Sequence, residues 1–116
     1  PRFLAIVEAA RSEISECSAA ELTALVEKGA TVIDVREQHE FAAGHYSGAL
    51  HIGKGVIERD IEKQDIAESN KIILYCGGGF RSAIAAKSLQ DMGYSGVVSL
   101  WGGWRGILAE GLETTK

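Results

Sequence analysis

The stretch "YCGGGFRSAIAAKSL", residues 75–89, decides the fold. It closes the apolar run "IILYC" at 72–76 and passes through three glycines. It then opens a pattern in which Ser82, Ala85, Ala86, Leu89 and Met92 share one helical face up to Gly93. An apolar, β-branched run without polar alternation reads as a strand buried on both faces, and the spacing after it reads as an amphipathic helix ended by glycine. Two further runs of the same kind, "TVIDV" at 31–35 and "VVSL" at 97–100, are separated from it by helical segments. Strands alternating with helices predict an α/β fold, a central and mainly parallel sheet flanked by helices on both faces.

Working outward, Phe3, Val7, Ala10 and Ile14 recur at helical spacing and predict an extra N-terminal helix, an extension over residues 1–13 ahead of a domain at 14–116. Ser18 with Glu21 is a capping-box signature, so a helix is expected over 19–28, closed by Gly29. Weaker helical signals lie at 37–43, 57–64 and 104–110. The segment "GHYSGALHIGKG" at 44–55 reads as loop with a short strand at "ALHI".

At 116 residues the chain has the length of one domain, and its 46% hydrophobic and 24% charged content is that of a globular protein. No apolar run approaches the roughly 20 residues that span a bilayer. A net charge of −4 argues against a nucleic-acid partner. Cys17 and Cys76 are far apart and in no CxxC arrangement, which suggests neither a zinc site nor a disulfide framework; a reducing, cytoplasmic setting is expected.

In open α/β sheets ligands sit beyond the carboxyl ends of the strands. There "TVIDV" runs into Arg36 and Glu37, "IILYC" into "GGGFR", and "VVSL" into "WGGWR". A thiolate is the reactive form of cysteine, and a helix N-terminus with inward-pointing amides favours it. Cys76 stands in that position. Gly77, Gly78 and Gly79 carry no Cβ and accept positive φ, so they can curl into an anion-binding nest, with Ser82 capping the helix and Arg81 adding a positive charge at the mouth. A cysteine at a strand end is more often a small buried hydrophobe. The arginine, the helix start and the sparing use of cysteine shift the balance toward a nucleophile.

These residues resemble the rhodanese superfamily of single-domain sulfurtransferases. The resemblance runs from about residue 14 to the C-terminus, through "VIDVRE" at 32–37, "EFAAGHYSGA" at 40–49, "ILYCGGGFRSAIAAKSL" at 73–89 and "MGYSGVVSLWGGW" at 92–104. It implies a rhodanese-like fold, Cys76 as the sulfur-carrying nucleophile, and Gly77, Gly78, Gly79, Phe80 and Arg81 as the substrate-binding loop. Asp34 and Arg36 fall at the family's strand-end motif and His45 at its "GH" turn. Related phosphatases and arsenate reductases place five residues between cysteine and arginine, whereas four stand here, so the loop looks like that of a sulfurtransferase. Tyr46 and Ser47 replace the family's usual Ile-Pro, and the loop lacks the second basic residue of many thiosulfate-preferring members.

The expected chemistry is transfer of a sulfane sulfur from thiosulfate or a persulfide, through a Cys76 persulfide, to a thiol, a protein acceptor or cyanide. It requires no metal or organic cofactor. The alternative is a rhodanese-like sulfur carrier or protein-binding module with little turnover of small donors. Asp34 and Arg36 are expected to make structural hydrogen bonds or an ion pair that holds the loop, ahead of a direct catalytic role, with Ser82 as further loop support. His39, His45 and His51 fit no metal-ligand spacing and are expected in turns; a protease-like Cys76–His45 pair is the minority reading. Trp101 and Trp104 are expected as core or pocket wall, and Cys17 as a small packed side chain.

Overall fold

The computed structural model describes all 116 residues, Pro1–Lys116. Its first elements are helix α1 (Arg2–Arg11), strand β1 (Ser15–Cys17), helix α2 (Ala19–Glu27), strand β2 (Thr31–Asp34) and helix α3 (Gln38–Ala43). Strands β3 (His45–Tyr46) and β4 (Leu50–His51) come next, then helix α4 (Ile57–Asp60), which runs into a 3₁₀ turn at Ile61–Gln64. Strand β5 (Ile72–Tyr75), helix α5 (Phe80–Asp91), strand β6 (Val97–Leu100), helix α6 (Gly103–Ala109) and strand β7 (Thr114–Thr115) complete the chain.

Five strands form one parallel sheet in the order β1-β6-β5-β2-β4, with β5 at its centre. A small antiparallel pair, β3 with β7, lies apart from it. Parallel strands need crossover connections, which place helices on the sheet faces and bury both of them. Hence Ile33, Leu74 and Val97 pack under Ala85, Ala86 and Leu89 of α5 on one face. Val32, Ile73 and Val98 pack with Leu22 of α2 and Ile107 of α6 on the other. The uninterrupted apolar runs of the sequence are the direct product of this double burial.

Several expectations are adjusted. Strands β2 and β5 stop at Asp34 and Tyr75, one residue earlier than predicted, leaving Val35 and Cys76 in the turns beyond. The predicted first helix ends at Arg11, so Ile14 is not on it; β1 follows, a three-residue strand too short to show a period in the sequence. On α1, Val7 and Ala10 are buried while Phe3 stays 49% exposed. Met92 falls just past α5 and is exposed, and the segment 57–64 divides into two short helical turns.

Candidate active site

Cys76 follows the central strand directly, and its carbonyl accepts the Trp104 N–H at 2.7 Å. The chain then turns at Gly79, whose φ of +97° is the left-handed conformation that favours glycine. A side chain there would also lie 3.2 Å from Gly102 N and 3.3 Å from the Leu100 carbonyl. This turn starts α5 with Gly79 at its N-cap. Two amides converge on sulfur: Gly79 N–H donates to Cys76 Sγ at 3.2 Å and Ser82 N–H at 3.3 Å. The Ser82 hydroxyl lies 3.5 Å from Sγ and 2.8 Å from Ser99 Oγ.

Two expectations change here. Ser82 does not cap the helix, because the left-handed turn at Gly79 starts α5 three residues before it; Ser82 lies inside the first turn and acts on the sulfur instead. Gly77 and Gly78 do not take positive φ, and of the loop amides at 77–81 only that of Gly79 bonds to Sγ. Gly103 closes the site from behind. Its φ is +51°, and a Cβ there would run into the Cys76 carbonyl.

Cys76 is 1% exposed, yet it lines a cavity of 420 Å³ together with Phe3, Phe80, Arg81 and Arg105. Arg81 does not point free into that space. Its guanidinium donates to both oxygens of Glu40, at 3.0 and 3.4 Å. Glu40 also accepts the Glu37 N–H at 2.9 Å, closing a capping box at the start of α3. The Arg81 hydrogen bonds hold the Glu40 carboxyl below its ordinary pKa, against the opposing cost of burial. Arg105, by contrast, is exposed and makes no ion pair, and its backbone N–H donates to the Gly77 carbonyl at 3.2 Å. Reading the sequence as far as "WGGWR" brought Arg105 to this edge but did not assign it to the site. Glu40 was missed, although its signal, an acidic residue three places after Glu37, is visible in "EQHE".

Asp34 and Arg36 form a buried fork: Nε lies 3.1 Å from both carboxylate oxygens and Nη2 donates to Oδ2 at 2.8 Å. The same Nη2 donates to the Gly44 carbonyl at 2.6 Å, and the guanidinium lies 4.6 Å from the Trp104 ring centroid. This pair therefore ties down the turn after α3, and it approaches the Cys76 loop through Trp104 and through Tyr75, whose ring centroid lies 5.6 Å from the guanidinium. His45 stacks on Phe41 at 3.6 Å and is not among the residues around Cys76; its Nδ1 lies 2.9 Å from the Phe41 carbonyl. His51 Nε2 lies 2.8 Å from the Arg36 carbonyl. Trp101 is 62% exposed, so it is rim and not core. Cys17 is buried in the cluster on the opposite face of the sheet from Cys76. Burial, reinforced by the charge of Glu21, pushes its thiol up to about 11.

The chain is 41% identical over 85 residues to the thiosulfate sulfurtransferase GlpE of Pseudomonas fluorescens (strain SBW25), covering 71% of this chain and 76% of that one. It is 31% identical over 74 residues to the putative sulfur carrier protein YrkF of Bacillus subtilis (strain 168), 64% of this chain and 39% of that one. Among solved structures, a protein of unknown function and possible tyrosine phosphatase from Rhodopseudomonas palustris CGA009 superposes with a TM-score of 0.84 at 28% identity, over 97% of this chain and 93% of that chain. The profile of the rhodanese-like domain matches residues 18–110, and the chain belongs to that family.

Proposed function

We propose that this chain is a rhodanese-type sulfurtransferase in which Cys76 carries the sulfur between a donor and an acceptor. The carrying observation is the placement of Cys76 Sγ, at an open cavity and in line with two amides at the start of α5. In the first half-reaction the Cys76 thiolate attacks the outer sulfur of thiosulfate or a persulfide. A new S–S bond forms, the donor's own bond to that sulfur breaks, and the electron pair leaves on sulfite or a thiolate. The Gly79 and Ser82 amides offer hydrogen bonds to negative charge on sulfur in both states of the enzyme. In the second half-reaction an acceptor thiol, or cyanide in an assay, takes the sulfane sulfur and restores the thiolate.

The similarity to the Pseudomonas sulfurtransferase supports this reading. So does the loop: only four residues separate Cys76 from Arg81, and Arg81 is engaged by Glu40, which leaves no free guanidinium within the loop for a phosphoryl group. On this reading residues 1–13 are an added helical element and 14–116 the sulfurtransferase domain. Incubation with donor should add one sulfur to Cys76 by intact mass, and steady-state kinetics should be ping-pong. Retention of full activity by Cys76→Ser would sink the proposal.

A carrier or docking role with little small-donor turnover is the second reading, favoured by the neutralised Arg81 and by the similarity to the Bacillus carrier. Loading from a protein persulfide together with negligible turnover of thiosulfate and other small donors would select it.

A further inference from the structure

The turn that aims two amides at Cys76 begins with three consecutive glycines, and glycine is the residue least able to hold a conformation by itself. Gly79 sits at φ +97° and ψ +2°, donates to the sulfur through its N–H, and has no side chain by which neighbours could fix it. Its carbonyl is the remaining handle on this turn. That handle is gripped from outside the matched segment 18–110: Arg11, the last residue of α1, donates from Nη2 to the Gly79 carbonyl at 3.4 Å.

Two further contacts fix the same guanidinium. Its Nε is closed off from solvent and lies 3.2 Å from Glu16 Oε2. Glu16 stands on the edge strand β1 beside Ser99 of β6, whose hydroxyl meets that of Ser82. The guanidinium carbon lies 5.1 Å from the ring centroid of Phe80, the first residue of α5. Arg11 thus joins α1, the edge strand and the start of α5 at one point. The rest of α1 is held differently, by buried Val7 and Ala10, and Glu13 just beyond it lies 3.6 Å from Lys87 of α5; none of these touches the turn.

We propose that Arg11 is a positioning residue for the reaction at Cys76, holding the Gly79 carbonyl and the Phe80 ring so that the Gly79 and Ser82 amides stay aimed at the sulfur. The inference rests on Cys76 being the reacting group of the sulfurtransferase reading above. Because Glu16 balances its charge, Arg11 acts through geometry: gripping the Gly79 carbonyl restricts rotation on either side of the glycine Cα, and with it the direction of the neighbouring N–H groups. The two amides serve charge on sulfur in both half-reactions, so loosening them slows both together. That lowers kcat and leaves KM for the donor where it was.

The test measures iodoacetamide alkylation of Cys76 at pH 7 and, separately, thiosulfate-to-cyanide transfer by the intact chain. Arg11→Gln should lower the alkylation rate and kcat by about threefold to tenfold with KM for thiosulfate unchanged, and Arg11→Lys, which keeps a charged donor, should recover part of the loss. Glu16→Gln should slow alkylation by about twofold alone and add nothing to Arg11→Gln, because it acts only through the arginine. Lys87→Gln removes the other link to the α1 segment and should leave both rates unchanged. Wild-type rates in Arg11→Gln, a loss confined to KM, a loss that Arg11→Lys does not recover, or an equal loss in Lys87→Gln overturns the inference. Should Arg11→Gln fail to fold, Glu16→Gln against Lys87→Gln decides: slower alkylation in the first alone supports the inference, and equal rates overturn it. Alkylation needs no sulfur donor, so a chain that never transfers sulfur counts against the sulfurtransferase reading alone while the alkylation rates still judge Arg11.

Discussion

Cys17 and Cys76 occupy the same place in two parts of one sheet, at the carboxyl end of a parallel strand with a helix beginning just beyond. Both are buried, and the same short segment holds both: the Trp101 N–H binds the Cys17 carbonyl and the Trp104 N–H binds the Cys76 carbonyl, each at 2.7 Å. The difference lies in how the next helix starts. Before α2, the Glu21 carboxylate takes the free Ser18 amide at 2.9 Å, and its negative charge together with burial discourages a thiolate at Cys17. Before α5, glycine stands at the cap, no carboxylate claims the amides, and two of them turn to sulfur. A helix start helps a thiolate only when its own capping residue leaves the amides unspent.

Removing each sulfur in turn should have opposite consequences. Cys76→Ser should lower sulfur transfer by at least about a thousandfold, while Cys17→Ala should stay within about twofold of wild type. Alkylation of the native protein separates the two cysteines further. With its pKa near 11, Cys17 exposes only about one thiolate in ten thousand at pH 7, so peptide mapping after brief iodoacetamide treatment should find the label on Cys76 in excess of about a hundredfold. Equal labelling would mean that the two helix starts do not differ in effect.

Gly79→Ala tests the turn itself. The left-handed φ and the contacts with Gly102 and Leu100 should cost about 1–3 kcal/mol of stability in denaturant unfolding, and misplacing the cradle should lower activity by about tenfold or more. Ser82→Ala keeps the amide and loses only the hydroxyl, leaving buried Ser99 without its partner; a loss of about 1 kcal/mol and a few-fold drop in rate are expected. The smallest effect belongs to Glu40. Its folded pKa lies below the ordinary value because Arg81 donates to the carboxylate, so its pairing contributes at neutral pH and is lost as pH falls through that lowered value. The stability gap between wild type and Glu40→Gln should therefore be under about 1 kcal/mol at pH 7 and close as the carboxylate is protonated in acid.

The sheet and the cysteine turn were legible because both are written locally: Val32, Ile33, Ile72 and Ile73 in unbroken runs, and three glycines between Cys76 and a helical pattern. What the sequence hid is carried by pairs that meet only in space. Glu40 reaches Arg81 across 41 positions, Ser82 meets Ser99 across a crossover, and Arg105 arrives from α6. The alternation of Asp34 and Arg36 at a strand end allows the ion pair they form, but which turn it holds depends on Gly44, a contact no spacing rule reports. The exposure of Phe3 is the clearest case. Periodicity placed it on the apolar face of α1, and only the fold reveals that its neighbour is Phe80 at the mouth of the cavity.

The contact between Gly103 and the Cys76 carbonyl joins main chain to main chain, with no side chain between them. The depth of the reactive atom is thus gauged by peptide against peptide. Cys76 also packs within the apolar layer under α5, so a substitution at Gly103 and one in that layer should reach the sulfur from opposite sides.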